Sequence, residues 1–207
     1  MTNPVLNIAQ TVACTEAEGP GRRFALWFQG CPLRCPGCCN PEMLPFSGGV
    51  ARSLDDVLAE IDSVAANDSI EGVTFLGGEP TAHAGSADLA RVLQHRGLSV
   101  MVFSGYTLPE LRTSPNPWVG ELLAHTDILV DGPYLKDQPD RTRRWIGSTN
   151  QGIHFLTSRY AADDPRWAEK KTLEIRLEEG KLSVNGFPAR SALGLWKRPK
   201  NVPRGNS

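Results

Sequence analysis

Residues 28–41 read FQGCPLRCPGCCNP and hold four of the five cysteines in the chain. The spacing is C-x3-C-x2-C over Cys31, Cys35 and Cys38, with Cys39 directly after. Adjacent cysteines point different ways along the backbone, so Cys38 and Cys39 rarely serve one metal ion together. Three usable thiolates remain. A structural zinc site wants four ligands. The four histidines, His83, His95, His125 and His154, lie far off in sequence with no partner at ligand spacing. A purely electron-carrying iron–sulfur cluster wants four cysteines. Three would leave one iron of a [4Fe–4S] cube without a protein ligand, and an open coordination position is where a substrate or cofactor binds. The bland alternative is a cysteine-rich loop that holds no metal. An odd cysteine count argues against a disulfide framework, and Cys14 stands alone.

These thiols need elements to position them. An apolar strand at 24–30, FALWFQG, delivers the chain into the cysteine loop, and VLNIAQTV at 5–12 reads as an earlier strand. The segment 53–67 carries an apolar stripe over Leu54, Val57, Leu58, Ile61, Val64 and Ala65, with Ser53 and Asp56 spaced as a capping box, and so predicts a helix. Strands at 72–78, 98–105 and 127–132 alternate with helices at 86–97 and across 108–126. Such alternation with short connections gives βαβ units and a mostly parallel sheet, whose strand exits are where ligand sites gather. Beyond Gly132 a polar loop leads to a further strand within 152–160. Alternation on both arms around EEGK then predicts a β-hairpin at 172–188.

The chain has 207 residues, 40% of them hydrophobic, which suffices for one domain with an appendage. A net charge of −1 points away from nucleic acid or an anionic membrane surface as the main partner. No apolar run approaches the roughly 20 residues that span a bilayer, and the N-terminus lacks a secretory pattern. A reducing cytoplasmic setting is the expectation.

C-x3-C-x2-C after the first strand resembles the radical S-adenosylmethionine (radical SAM) superfamily. More narrowly, GPGRRFALWFQGCPLRCPGCCNPEM resembles the activating enzymes of anaerobic ribonucleotide reductase, within the glycyl-radical-enzyme activases. FLGGEPTAH (75–83), VFSGYTLPEL (102–111), TDILVDGPY (126–134) and WIGSTNQGIHFL (145–156) agree in the same order. The likeness spans roughly residues 5–157, and five ordered motifs are specific. It implies an open partial (β/α)6 barrel, expected as a core over 1–160; the residues beyond the likeness add an extension with the hairpin over 161–196 and a disordered basic tail over 197–207. It implies Cys31, Cys35 and Cys38 as ligands of one [4Fe–4S] cluster, and SAM against Gly37, Cys39, Gly77, Gly78, Glu79, Pro80, Ser104 and Asp131. Two glycines would let the backbone approach a ligand, and Glu79 offers an acceptor for an ammonium group.

The implied chemistry is reductive cleavage of SAM to a 5′-deoxyadenosyl radical that abstracts a hydrogen atom, with the cofactors supplying the hard steps. The implied partners are a protein or small-molecule hydrogen-atom donor and an electron donor such as a flavodoxin or ferredoxin. Two positions depart from the relatives. Cys39 stands where an aromatic is usual, and Ile146 stands where an Arg precedes Gly-Ser. These departures and the added hairpin keep open a radical SAM enzyme acting on a small molecule or peptide. A non-catalytic iron–sulfur or zinc adaptor is a third reading, against which the GGEP segment counts.

Overall fold

The computed structural model describes residues 3–169, 172–178 and 181–186, so the tail expected over 197–207 lies outside the described residues. The chain opens with β1 (Val5–Thr15) and β2 (Arg23–Phe28), then β3 (Val50–Ser53), α1 (Leu54–Asp68) and β4 (Gly72–Gly77). Next come α2 (Gly85–His95), β5 (Ser99–Phe103), α3 (Leu108–Arg112), α4 (Pro117–Ala124), β6 (Ile128–Asp131) and β7 (Gly152–Phe155). The hairpin β8 (Leu173–Glu178) and β9 (Lys181–Gly186) ends the described chain. No described helix is long and apolar enough to cross a membrane.

Seven strands form one sheet in the order β3-β1-β2-β4-β5-β6-β7. Strands β2, β4, β5 and β6 run parallel, while β1, β3 and β7 pair antiparallel at the margins. About six strands in a (β/α)6 arrangement were expected; the sheet has seven, of which four are parallel. The short β3, sequence VARS, is half exposed and carries no apolar alternation to mark it. The four parallel strands are buried nearly throughout, because both faces are covered.

Alternation along these strands splits the interior in two. Phe24, Leu26, Phe28, Val73, Phe75, Val100, Val102 and Leu129 face the helices and share one core with Val57, Ile61, Leu89, Leu93 and Leu122. Trp27, Leu76 and Phe103 point to the opposite face, in a smaller cluster with Val12, Ala25 and Met43. Met101, Ile128, Val130, Trp145 and Ile146 form a third. Ser53 caps α1, its hydroxyl accepting from the Asp56 backbone N–H at 3.1 Å, as its spacing foretold.

The hairpin packs in an unexpected sense. Its apolar residues Ile175, Leu177 and Val184 are exposed, while its polar residues meet the body of the protein. Glu174 accepts from the Glu16 backbone N–H at 2.8 Å, Arg176 donates to the Cys14 carbonyl, and the Gly186 N–H donates to Glu18 at 3.0 Å. Arg144 adds a bond to the Thr172 hydroxyl at 2.8 Å.

At the N-terminal edge of the parallel strands Arg23 is completely buried. It donates to Thr74 Oγ1 (2.7 Å), the Val73 carbonyl (2.8 Å) and Ser99 Oγ (2.9 Å), with Tyr160 Oη at 3.4 Å. Burial pulls its pKa below the usual guanidinium value, and Tyr160 opposes that. These bonds tie β2, β4, β5 and the segment after β7. Arg23→Met keeps the apolar stem but orphans several buried acceptors. It is expected to cost roughly 2–4 kcal/mol in urea unfolding; a loss below about 1 kcal/mol would make the polar contacts energetically idle.

Candidate functional site

All four parallel strands end at the same edge, and the loops that follow them converge there. After β2 the chain turns at Gly30, which has φ +106° and no room for a Cβ beside the Phe46 ring. The returning segment 41–46 holds the loop root. Gly30 N–H donates to the Met43 carbonyl (2.9 Å) and Cys31 N–H to the Leu44 carbonyl (3.0 Å). The Gln29 amide donates to the carbonyls of Glu42 and Pro45. Cys31 is buried at this root, Cys35 and Cys38 are half-buried, and Cys39 is exposed with its thiol against Tyr134. Burial raises the Cys31 pKa, and the negative charge of Glu79 and Cys35 adds to the rise.

The loop after β4 lies directly on that root. Gly78 N–H donates to the Phe28 carbonyl (2.8 Å) and Glu79 N–H to the Gly30 carbonyl (2.9 Å). A Cβ on Gly78 would stand 2.3 Å from the Gly30 carbonyl oxygen, and one on Gly77, at φ +103°, 2.7 Å from Phe28 backbone atoms. Both glycines are therefore required by the packing of one loop on the other, before any ligand is considered.

Glu79 is 1% exposed, and its carboxylate accepts four hydrogen bonds. Oε1 takes the Thr81 N–H (3.1 Å), the Thr81 hydroxyl (2.7 Å) and the Ser104 hydroxyl (3.0 Å); Oε2 takes the Gly105 N–H (2.8 Å). The side chain thus fastens the loop after β4 to the loop after β5. Burial raises its pKa, while the Gly105, Thr81 and Ser104 donors oppose the rise. Pro80 is buried at the start of a 3₁₀ turn over Pro80–Ala82.

Asp131, at the end of β6, is also turned into the scaffold. Oδ2 accepts from the Leu108 N–H at the start of α3 (2.6 Å). Oδ1 accepts from the Gly152 N–H (3.1 Å) and lies 3.0 Å from His154 Nε2.

These loops surround a cavity of about 510 Å³. Cys31, Cys35, Cys38, Cys39, Gly77, Gly78, Glu79 and Ser104 line it; Gly37, Pro80 and Asp131 do not. Trp27, Leu76 and Phe103 form its apolar floor. Among the described residues no three His, Cys, Asp or Glu side chains are grouped for a single metal ion. A [4Fe–4S] cube asks for a wider set, since each thiolate takes a different iron. Cys31, Cys35 and Cys38 on one cavity wall, with no His lining it and the exposed Cys39 thiol set against Tyr134, suit a cube with one open iron.

A 4Fe–4S single cluster domain family matches residues 17–154, which contain every one of these loops. This chain belongs to the radical SAM activating-enzyme family. It is 30% identical over 157 residues to the anaerobic ribonucleoside-triphosphate reductase-activating protein of Haemophilus influenzae, covering 72% of this chain and 97% of the relative. With the protein of the same name from Vibrio cholerae it shares 29% identity over 160 residues, covering 73% and 99%. The Escherichia coli K12 protein is 28% identical over 158 residues. Among solved structures, QueE from Escherichia coli aligns over 50% of this chain and 53% of its own, with 23% identity and a TM-score of 0.40.

In this radical SAM chain Ile146, the departure from the relatives' Arg, is completely buried against Met101, Ile128 and Val130. The loop that carries it is pinned by Gln151, whose side chain accepts from the Gly147 and Ser148 N–H groups and donates to the Gly132 carbonyl. Gln151 and Trp145 line the cavity, as do Glu18 and Asn185; sequence reasoning singled out none of them for the site. Trp145 also packs, meeting Trp167 edge-on at 5.0 Å. Glu18 sits in the turn after β1 and meets Asn185 only through the fold, so no local motif could have marked either.

The Glu18 carboxyl is pushed up to about 7, mainly by burial and secondly by Glu174, while the Gly186 N–H and the Asn185 side chain favour the charged form. A carboxyl raised from 4.5 keeps its proton in the folded chain where the unfolded chain has lost it. Its stabilising contribution is whole below pH 4.5 and is lost as the pH rises through about 7. The urea midpoint of the native chain, relative to Glu18→Gln, is expected to fall across that window. A difference independent of pH would show that Glu18 is ionised throughout.

A second expectation follows from the four bonds to Glu79. Glu79→Gln turns an amide toward a donor and removes the charge. The cluster-free chain should lose roughly 1.5–3 kcal/mol in thermal or urea unfolding, before any SAM is added. Unchanged stability together with weakened SAM binding would mean that the carboxylate contacts the ligand and not the scaffold.

Proposed function

We propose that the protein activates a glycyl radical enzyme by taking a hydrogen atom from a glycine Cα of its partner. The observation that carries this is the meeting, around one cavity, of three thiols and the GGEP loop in a chain of the activating-enzyme family. Cys31, Cys35 and Cys38 would hold the cluster. Gly37, Cys39, Gly77, Gly78, Pro80 and Ser104 would supply or shape the backbone against which SAM rests, with the cavity wall as the inside of an open partial barrel. Glu79 and Asp131 would act from behind: Glu79 sets the spacing of two loops, and Asp131 holds the start of α3 against β7.

When bound, the reduced cluster supplies the one electron that splits the C5′–S bond of SAM, leaving methionine and a 5′-deoxyadenosyl radical. Homolysis of the glycine Cα–H bond then yields 5′-deoxyadenosine and a glycyl radical, which its flanking amides stabilise. Trp27, Leu76 and Phe103 would keep water from the reacting carbon. A low-potential donor of the flavodoxin or ferredoxin class would feed the cluster, and a reducing cytoplasm would suit exposed thiolate ligation.

After anaerobic reconstitution about four irons per chain are expected. Replacing Cys31, Cys35 or Cys38 by Ala should abolish the cluster, whereas replacing Cys14 or Cys39 should retain it. Iron kept by the Cys38 variant and lost by the Cys39 variant would overturn the ligand assignment. Reduced protein with SAM and a glycyl radical enzyme from the same organism should give an organic radical signal in the partner, with matching 5′-deoxyadenosine. Nucleoside formed without a partner radical would favour the second reading, a small-molecule or peptide substrate. That reading is supported by the hairpin, which lies beyond residues 17–154, the part matched by the family.

A further inference from the structure

The cavity does not end at the cysteine loop. Because β1 runs antiparallel to β2 and Thr15 pairs with Arg23, the turn that carries Glu18 lies at the opposite edge of the sheet. The cavity lining includes both Cys31 and Glu18, so it extends along the length of β2, about 20 Å for six residues. At this far end the hairpin closes it, through Val184, Asn185 and Gly186.

The polar groups there are unevenly used. The Gly186 N–H is spent on Glu18 Oε1, and the Asn185 side chain is hydrogen-bonded to the same carboxylate. A carboxylate accepts from an amide nitrogen, so one N–H of the Asn185 NH2 is used as well. Asn185 is 3% exposed, and its Oδ1 has no hydrogen-bond partner among the described residues. A buried amide oxygen without a donor is costly, by about 1–3 kcal/mol. While Glu18 is ionised, what this end lacks is therefore a donor. A single N–H, such as a peptide backbone presents, would meet that need. Trp145, which lines the cavity and donates to the Glu16 carbonyl, gives this end an aromatic wall.

We propose that Glu18 and Asn185 form a subsite for a backbone amide N–H of the polypeptide segment that gives up the hydrogen atom, which makes the C-terminal hairpin a specificity element of the cavity. The proposal rests on the partner being a polypeptide. It accounts for a hairpin that buries its polar face and ends in a side chain with an unpaired oxygen.

The test uses cluster-loaded, SAM-bound protein and the probe peptide acetyl-Ala-Gly-Ala-amide, with analogues in which each backbone N–H is replaced in turn by an ester oxygen. Binding is measured by anaerobic calorimetry. One ester analogue is expected to bind roughly three- to tenfold more weakly than the peptide, the worth of one neutral hydrogen bond. Asn185→Leu should erase that difference. Glu18→Gln should shrink it without disturbing the fold, because the new amide can donate to Asn185 Oδ1 itself. Equal binding of the peptide and all esters, discrimination that survives in both variants, or no peptide binding at millimolar concentration would each overturn the proposal. Release of 5′-deoxyadenosine from the same samples reports separately on the radical chemistry. If it is absent while the ester effect persists, the proposed function fails and the amide subsite stands.

Discussion

At one edge of the sheet two backbones run so close that Gly78 has no room for a side chain. Gly78 lies against Gly30, with successive N–H groups of the GGEP loop bonded to the carbonyls of Phe28 and Gly30. Gly30 is the residue before Cys31. The position of Cys31 is thus tied to the position of the GGEP backbone through two short hydrogen bonds, with no mobile side chain between them. Any group bridging the cysteine loop and the GGEP loop meets a spacing that the main chain has already set. Glu79 extends the same constraint one strand further, since its carboxylate collects donors from its own loop and from the loop after β5.

A buried carboxylate with four donors is stabilised as a charge but costs desolvation, and the two effects oppose each other at Glu79. The arrangement serves rigidity: cofactor sites work when the supporting groups are themselves held. Asp131 follows the same logic at β6, where one carboxylate meets the first N–H of a helix and the first N–H of an antiparallel strand. Both carboxylates hold loops at the cavity edge, and Glu79 also lines the cavity.

The opposite edge is built differently. Arg23 closes it with a fan of bonds to β4 and β5, and the hairpin is attached by polar contacts to the turn after β1. Hydrogen bonds to a surface turn are worth less than a packed apolar face, so the hairpin is the element whose attachment responds most to pH and substitution. Its exposed Ile175 and Leu177 are the reverse of what alternation in a solvent-facing strand suggests.

The cysteine spacing, the βαβ order, the capping Ser53 and the hairpin were all legible in the chain, because each depends on residues a few positions apart and on periods of two or 3.6. The family likeness was legible for the same reason, its motifs being short and local. The sequence could not say why Gly77 and Gly78 are glycines. It suggests close approach to a ligand, whereas the packing supplies the neighbouring strand's backbone. Nor could it tell that Glu79 and Asp131 spend their oxygens on backbone N–H groups, that Ile146 is core, or that Glu18 and Asn185 share a cavity. Those facts are set by which loops the sheet order makes neighbours, and contacts between residues from 21 to 168 positions apart leave no local period to read.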